Sequence, residues 1–210
     1  MTDKNGITRR GLVTAGGAGL AVTAVGSLSG EKVESWDHEA DVVVCGSGAA
    51  GATAAIYACK AGVEVLVLEK GSAWGGTTAK SGSHIWIPNN FELRRRGIDD
   101  ERRAVLEYMV HYSYPHLFNP EDERLGLDEN TYELIAAFYD NGHQMVDQMM
   151  DWGAFKFRRA TIWSTGEATP DYYDHSPYNK VPRGRGLEPI YSDGRFAGGK
   201  GVASMMRQLL

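Results

Sequence analysis

"DVVVCGSGAAGATAA", residues 41–55, decides the fold of this chain. A run of β-formers ends at Cys45, Gly46, Gly48 and Gly51 follow at G-x-G-x-x-G spacing, and alanines dominate after them. A short apolar run rich in β-branched residues reads as a fully buried strand of a parallel sheet covered on both faces. Ala49 to Ala61, nearly all alanine with Ile56 and Tyr57, reads as a helix packed tightly on that sheet, and Gly62 ends it. "VEVLVLEK" (63–70) then reads as a second strand, which completes the order and length of a βαβ crossover.

Each glycine answers a separate need. Gly46 permits the sharp turn, Gly48 presents no Cβ to a pyrophosphate lying on the loop, and Gly51 lets helix and strand approach closely. The free N–H groups around Ser47, Ala49 and Ala50 then face the phosphates, helped by the positive end of the helix dipole. Glu69 closes the second strand where a carboxylate accepts hydrogen bonds from an adenosine ribose. The same charge repels a 2′-phosphate, which disfavours NADP. This loop binds a dinucleotide.

The segment after the second strand narrows the ligand. "EKGSAWGGTTAKSGSHIWIPNN" (69–90) sets Lys70, Gly75, Gly76, Thr77, Thr78, Ala79, Ser81 and Gly82 beside the mouth of the first loop. Small residues let the backbone approach a long cofactor, and hydroxyls bond a pyrophosphate or a ribityl chain. A simple nicotinamide dehydrogenase has no use for this second glycine-rich segment.

The E-K-x(4)-G-G-T-T-A-x-S-G run resembles the FAD-dependent oxidoreductases of the fumarate reductase and succinate dehydrogenase flavoprotein superfamily. "SGSHIWIPNN" (81–90) is similar to the 3-ketosteroid dehydrogenases within it. So are "PDYYDHSPYNKVPRGRGLEP" (170–189), like their Pro-Asp-Tyr loop, and "FAGGKGVASMMRQLL" (196–210), like the helix that returns to the flavin domain. The likeness covers about residues 40–210 and is strongest over 41–90.

It implies an α/β fold: a Rossmann-like FAD-binding domain with an incomplete parallel sheet and a mainly helical insertion. FAD is the implied cofactor, held by Gly46, Ser47, Gly48, Ala49, Ala50, Gly51, Glu69, Lys70, Gly76, Thr77, Thr78, Ala79, Ser81 and Gly82. Tyr172 matches the family's active-site tyrosine, which hydrogen-bonds a second tyrosine acting as base, and Tyr173 competes for that role. The implied reaction removes hydrogens from adjacent carbons beside a ketone, as in 1,2-dehydrogenation of a 3-oxosteroid. The alternatives are a fumarate-reductase-like flavoprotein reducing an unsaturated carboxylate and an inactive FAD-binding fragment. Family members are longer, so the chain is expected to be an N-terminal fragment with its other catalytic tyrosines beyond Leu210. The implied partners are a small-molecule substrate and an unidentified electron acceptor.

The rest of the chain reads mostly as structure. Residues 1–35 hold Arg9-Arg10 and a weakly apolar Gly/Ala run, which resembles a twin-arginine export signal with small residues near Ala24-Val25-Gly26. Such a signal sends folded protein to the periplasm or cell envelope; a disordered tail in its place leaves the chain cytoplasmic. Residues 36–90 form the βαβ unit and flavin loop, 91–160 a helical insertion, and 161–210 an active-site loop and the start of the return. Asp99-Asp100 is expected to cap a helix carrying Val105, Leu106, Met109 and Val110. Asn130 with Glu133 is expected to cap the next, and a further helix carries Met145, Val146, Met149 and Met150 as core filler up to Gly153. Residues 164–201, rich in Gly, Pro, Tyr and Arg, read as an ordered functional loop anchored by Arg183 and Arg185.

Composition excludes several classes. With 22 Lys and Arg against 27 Asp and Glu the net charge is −5, which argues against a nucleic-acid surface. Arg94–Arg96 with Arg102 and Arg103 reads as a solvated helix face. The six histidines lack ligand spacing, so no metal site is expected. Cys45 and Cys59 are expected to be buried small hydrophobes, not a disulfide. No stretch is apolar enough for a mature membrane-spanning helix.

Overall fold

The computed structural model describes residues 36–210; the export-signal reading lies outside the described residues. Strand β1 (Val42–Cys45), helix α1 (Ala49–Lys60) and strand β2 (Val65–Leu68) form the expected crossover. The strands pair in parallel from Val42 opposite Val65 to Cys45 opposite Leu68. Alanines let α1 lie close: Ala52, Ala55 and Ile56 are buried, and Gly62, at φ +84°, turns the chain out of the helix.

The sheet is covered on one face only, and this corrects two expectations. Alternation sends Val42 and Val44 inward and leaves Val43 and Cys45 exposed, with Leu68 exposed beside them. Cys45 is therefore not buried, and Cys59 is half-buried in α1. The β-branched run reported strand propensity correctly but not how many layers lie over it.

Helix α2 (Gly76–Lys80) leads into the short strand β3 (Ile85–Trp86). Three helices follow: α3 (Phe91–Arg95), α4 (Arg102–Ser113) and α5 (Glu129–Asp151). Their caps lie elsewhere than expected. Glu101, not Asp99 or Asp100, accepts the Arg103 and Ala104 amides at the start of α4. Asp128 with Thr131 caps α5 in place of Asn130 with Glu133. The two expected helices are one continuous helix of 23 residues, because nothing between Asn130 and Met150 breaks the i→i−4 ladder. Gly153, at φ +79°, follows its end as expected.

Strands β4 (Phe157–Arg159) and β5 (Gly186–Pro189) join β3 in an antiparallel sheet of order β3-β5-β4. Residues 164–201 are thus not all loop: they hold β5 and the start of helix α6 (Gly198–Arg207). Prolines and glycines hid that strand, whose ladder bonds come from residues distant in sequence.

The main core joins both sheets. Ala52 and Ile56 of α1, Val146 and Met149 of α5, Phe157, Leu187, Val202 and Met206 pack together. Met149 is fully buried, worth about 2–3 kcal/mol by area removed from water. A second core under α4 holds Val105, Leu106, Val110, Leu125, Leu127 and Tyr139. The basic run is exposed at Arg94–Arg96 and Arg102, as expected of a solvated face, and it also makes surface pairs: Arg94 meets Asp147, Arg102 meets Asp140, and Arg103 meets Glu107 and the carbonyls of Pro120 and Glu123. Among the described residues no helix is long and apolar enough to cross a membrane, and no cluster of metal-ligating side chains occurs.

Candidate functional site

The glycine loop has the shape that its spacing demands. Gly46 sits at φ +99°, a left-handed conformation that strains any L side chain. A Cβ on Gly51 would lie 2.0 Å from the Gly46 carbonyl oxygen, so only glycine lets α1 start this close to the turn. A Cβ on Gly48 would meet no protein atom within 4 Å. Gly48 is therefore not required by packing; its bareness keeps space open above the loop.

The first turn of α1 points donors into that space. Among the described residues, the amides of Gly48, Ala50 and Gly51 have no hydrogen-bond partner. The Ala49 amide donates to Thr78 Oγ1 at 2.9 Å, which leaves the Thr78 hydroxyl hydrogen free to donate onward. Unpaired amides at a helix N-terminus, beside a bare glycine and a threonine hydroxyl, match the chemistry of a diphosphate.

Glu69 stands at the mouth but faces the loop. Its Oε2 accepts from the Ser47 amide at 2.9 Å and from the Ser47 hydroxyl, and its Oε1 accepts from the Gly71 amide at 2.8 Å. The Ser47 hydroxyl foremost, then the two amides, holds this carboxyl down at about 2. It is ionised at neutral pH and keeps acceptor capacity for a ribose hydroxyl. Lys70 next to it is exposed.

The second glycine segment lies alongside. Gly76 and Thr77 are exposed beside the loop, with a Gly76 Cβ 3.7 Å from the Gly48 Cα. Ala79 is half-buried, Ser81 Oγ donates to the Thr78 carbonyl at 2.8 Å, and exposed Gly82 leads to His84. Helix α6 fits against this segment through glycines: a Cβ on Gly199 would stand 1.9 Å from the Thr78 carbonyl oxygen.

From the loop, a run of clefts passes along β3. The first is lined by Ala49, Thr53, Thr78, Ser81, His84, Ile85, Met145 and Phe157 among others. His84, Ile85 and Trp86 border the next, together with Asp171 and Tyr172. Trp86 and Tyr172 also border a third, apolar cleft of about 310 Å3 with Tyr108, Met109, Tyr112 and Phe138. Trp86 stacks on Phe138 at 6.3 Å, and Tyr112 on Tyr172 at 6.4 Å.

Tyr172 is 88% exposed, at the rim of these clefts. Tyr173 turns elsewhere: its ring stacks on His111 at 5.7 Å, and its amide donates to the Tyr108 hydroxyl at 3.4 Å. Behind them lies a cluster that no local pattern announced. Arg185, fully buried, pairs with Asp171 at 2.6 Å and with Asp100 at 2.7 Å. Burial alone would pull the guanidinium down, but the two carboxylates outweigh it and hold it above its ordinary value. Asp171 also accepts from Trp86 Nε1 at 2.9 Å, and Arg185 lies 5.4 Å from that ring. Burial, then the Asp171 charge, raises the Tyr108 hydroxyl.

Sequence reasoning missed Trp86, Tyr108, Tyr112, Asp100 and Asp171. Asp171 and Arg185 both lie in the stretch 170–189, where Arg185 was expected to anchor the loop, and their opposite charges in one loop were the available signal for the pair.

The family described as "FAD binding domain" matches residues 41–192. The chain belongs to it. FAD is accordingly its cofactor, and the amides, hydroxyls and bare glycines of the loop fit that group. A 3-oxosteroid 1-dehydrogenase of Mycobacterium tuberculosis is 37% identical over 152 residues, 72% of this chain and 23% of that protein. A 4-oxocyclohexanecarboxylate 2-dehydrogenase of Sinomonas cyclohexanicum is 52% identical over 149 residues, 71% of this chain and 22% of that protein. Among solved structures, a 3-ketosteroid Δ1-dehydrogenase from Sterolibacterium denitrificans matches with a TM-score of 0.53 at 33% identity. That match covers 72% of this chain and 23% of the other. The chain spans less than a quarter of the length of these relatives.

Proposed function

We propose that this chain is the cofactor-binding part of an FAD-dependent oxidoreductase that desaturates a ring beside a ketone, with a 3-oxosteroid-like molecule as substrate. The observation that carries this reading is the shared wall. Strand β3 borders the cleft leading from the glycine loop and, through Trp86, the apolar aromatic cleft. A flat apolar ring stacked among Trp86, Tyr112 and Tyr172 would lie next to the cofactor's cleft. The 3-oxosteroid 1-dehydrogenases among the relatives support the same substrate class.

The chemistry divides simply. A ketone acidifies the neighbouring C–H, and a base removes that proton. FAD, when bound, supplies the hydride acceptor for the next carbon. The chain's own residues bind and orient: the loop amides neutralise the diphosphate, Glu69 accepts from the ribose, and the aromatic rings exclude water from the substrate. Tyr172, with its hydroxyl free at the rim, hydrogen-bonds the base and eases its deprotonation. Tyr173 is the competing candidate; its ring stacks on His111 and its amide donates to the Tyr108 hydroxyl, which favours Tyr172 for the role.

The 52% identity to the oxocyclohexanecarboxylate enzyme favours a second reading, a single-ring keto acid desaturated by the same steps. The test takes the whole oxidoreductase of which this chain is proposed to be the cofactor-binding part, loads it with FAD, removes oxygen and adds either 4-androstene-3,17-dione or 4-oxocyclohexanecarboxylate. Bleaching of the flavin absorbance by one ketone, with the desaturated product in the mass spectrum, is expected. A flavin-loaded protein that neither ketone bleaches would remove both readings.

A further inference from the structure

Ser47 is the one residue between the first two loop glycines, and its side chain points inward at 1% exposure. Three separate segments meet on its hydroxyl. Oγ donates to Glu69 Oε2 at the end of β2 and accepts from the Gly75 amide at 2.8 Å, at the start of the second glycine segment. The Ser47 amide donates to the same Glu69 oxygen at 2.9 Å.

None of these segments can easily shift to replace the hydroxyl. Gly75, at φ +103°, is buried so tightly that a Cβ there would stand 2.6 Å from Ala203 Cβ and 2.8 Å from Ala79 Cβ. On the other side, the contact of Gly51 with the Gly46 carbonyl locks the turn that carries Ser47. The hydroxyl thus spans a gap between two backbone pieces, each held from behind. Removing it leaves the Gly75 amide buried without a partner, at the full desolvation cost of that donor.

We infer that Ser47 is a positioning residue for FAD: it clasps the glycine loop, Glu69 and the second glycine segment together, so that the diphosphate and ribose sites stand at fixed spacing before the cofactor arrives. This inference rests on the reading that the loop takes the adenosine half of FAD. Of the roughly four acceptor directions of a carboxylate, three are taken by the Ser47 amide, the Ser47 hydroxyl and the Gly71 amide. The remaining one is aimed by the other three. Affinity gained this way is preorganisation: the cofactor does not have to order its own site.

The clasp also controls a charge. Lys70 is the charged side chain acting on Glu69; the glycine loop presents Ser47 to it and the second glycine segment presents the Gly71 amide, while Gly75 reaches it only through the Ser47 hydroxyl. With the hydroxyl gone, Glu69 moves up toward the ordinary carboxylate range, and acid then removes the ribose acceptor that the native protein keeps.

The experiment titrates FAD, and separately ADP as the adenosine-diphosphate probe, into the native protein and Ser47→Ala. It runs at about pH 7.5 and about pH 4.5, the latter near the ordinary glutamate value. Circular dichroism verifies folding, and hydrogen exchange at the Gly75 amide reports the clasp directly. Expected is a loss of about tenfold or more in affinity for both ligands at the higher pH, the order set by one orphaned buried donor. A further loss on acidification is expected in the variant only, with faster exchange at Gly75. Affinity within about threefold of native, the range of an ordinary surface change, overturns the clasp. So does a loss with the native pH dependence, which leaves Ser47 a packing role. A Ser47→Ala chain that fails to fold transfers the decision to Ser47→Gly with the same thresholds. A native protein that takes up neither FAD nor ADP overturns the cradle reading itself.

Discussion

Asp171 and Arg185 lie at opposite ends of a loop and meet at 2.6 Å with both side chains buried. The pair closes the loop that carries Tyr172, and its second acceptor, Asp100, ties that loop to the turn before α4. Asp171 holds Trp86 Nε1 at the same time. One buried cation thus fixes both walls of the aromatic cleft.

Breaking that cluster should cost folding free energy. Arg185→Leu leaves two buried carboxylates facing each other without a cation, and a loss of about 3–5 kcal/mol is expected. Urea unfolding followed by circular dichroism measures it. Asp171→Asn keeps the shape and an acceptor for Trp86, and should cost clearly less.

Gly48 and Gly51 should both lose FAD uptake on the same added methyl but differ in stability. Gly51→Ala drives a Cβ into the Gly46 carbonyl oxygen at 2.0 Å, so the thermal midpoint should fall sharply along with FAD uptake. Gly48→Ala meets no protein atom within 4 Å, so the midpoint should stay near the native value while FAD uptake is lost. Equal FAD affinity in Gly48→Ala and the native protein would place the diphosphate elsewhere.

Glu69 sets an acid limit on stability. Its folded value, about 2, lies below the ordinary value of 4.5. A depressed carboxyl stabilises the fold fully above its unfolded value and loses that contribution as pH falls through the folded one. The thermal midpoint should therefore decline from about pH 4.5 down to about pH 2, and the decline should be shallower in Glu69→Gln. Calorimetry across that window measures the slope.

Tyr172→Phe separates catalysis from folding. The ring is 88% exposed and its hydroxyl makes no hydrogen bond among the described residues, so stability should stay within about 0.5 kcal/mol of native. Ketone-driven flavin bleaching should slow by about 100-fold or more if this hydroxyl supports the base. Tyr173→Phe should leave that rate near native, since its anchoring contacts run through its ring and its amide.

The crossover was legible because its information is local. Valine runs, glycine spacing and an alanine helix dictate strand, turn and close packing within residues 41–70, and the structure follows them. Gly46 and Gly51 even declare their contacts, since a positive φ and a sub-van-der-Waals approach exclude every other residue. The hydroxyl-rich segment and the matched family point to the same cofactor. What tertiary structure alone decided involves partners distant in the chain. Asp99-Asp100 looked like a cap, yet Asp100 serves Arg185, because a buried guanidinium outcompetes a helix end that Glu101 can satisfy. Cys45 looked buried, yet covering layers depend on chain count around a strand, not on its own residues. The β3-β5-β4 sheet and the aromatic cleft on it arise from pairings across about 100 positions for β3 with β5 and about 30 for β4 with β5, for which no local periodicity exists.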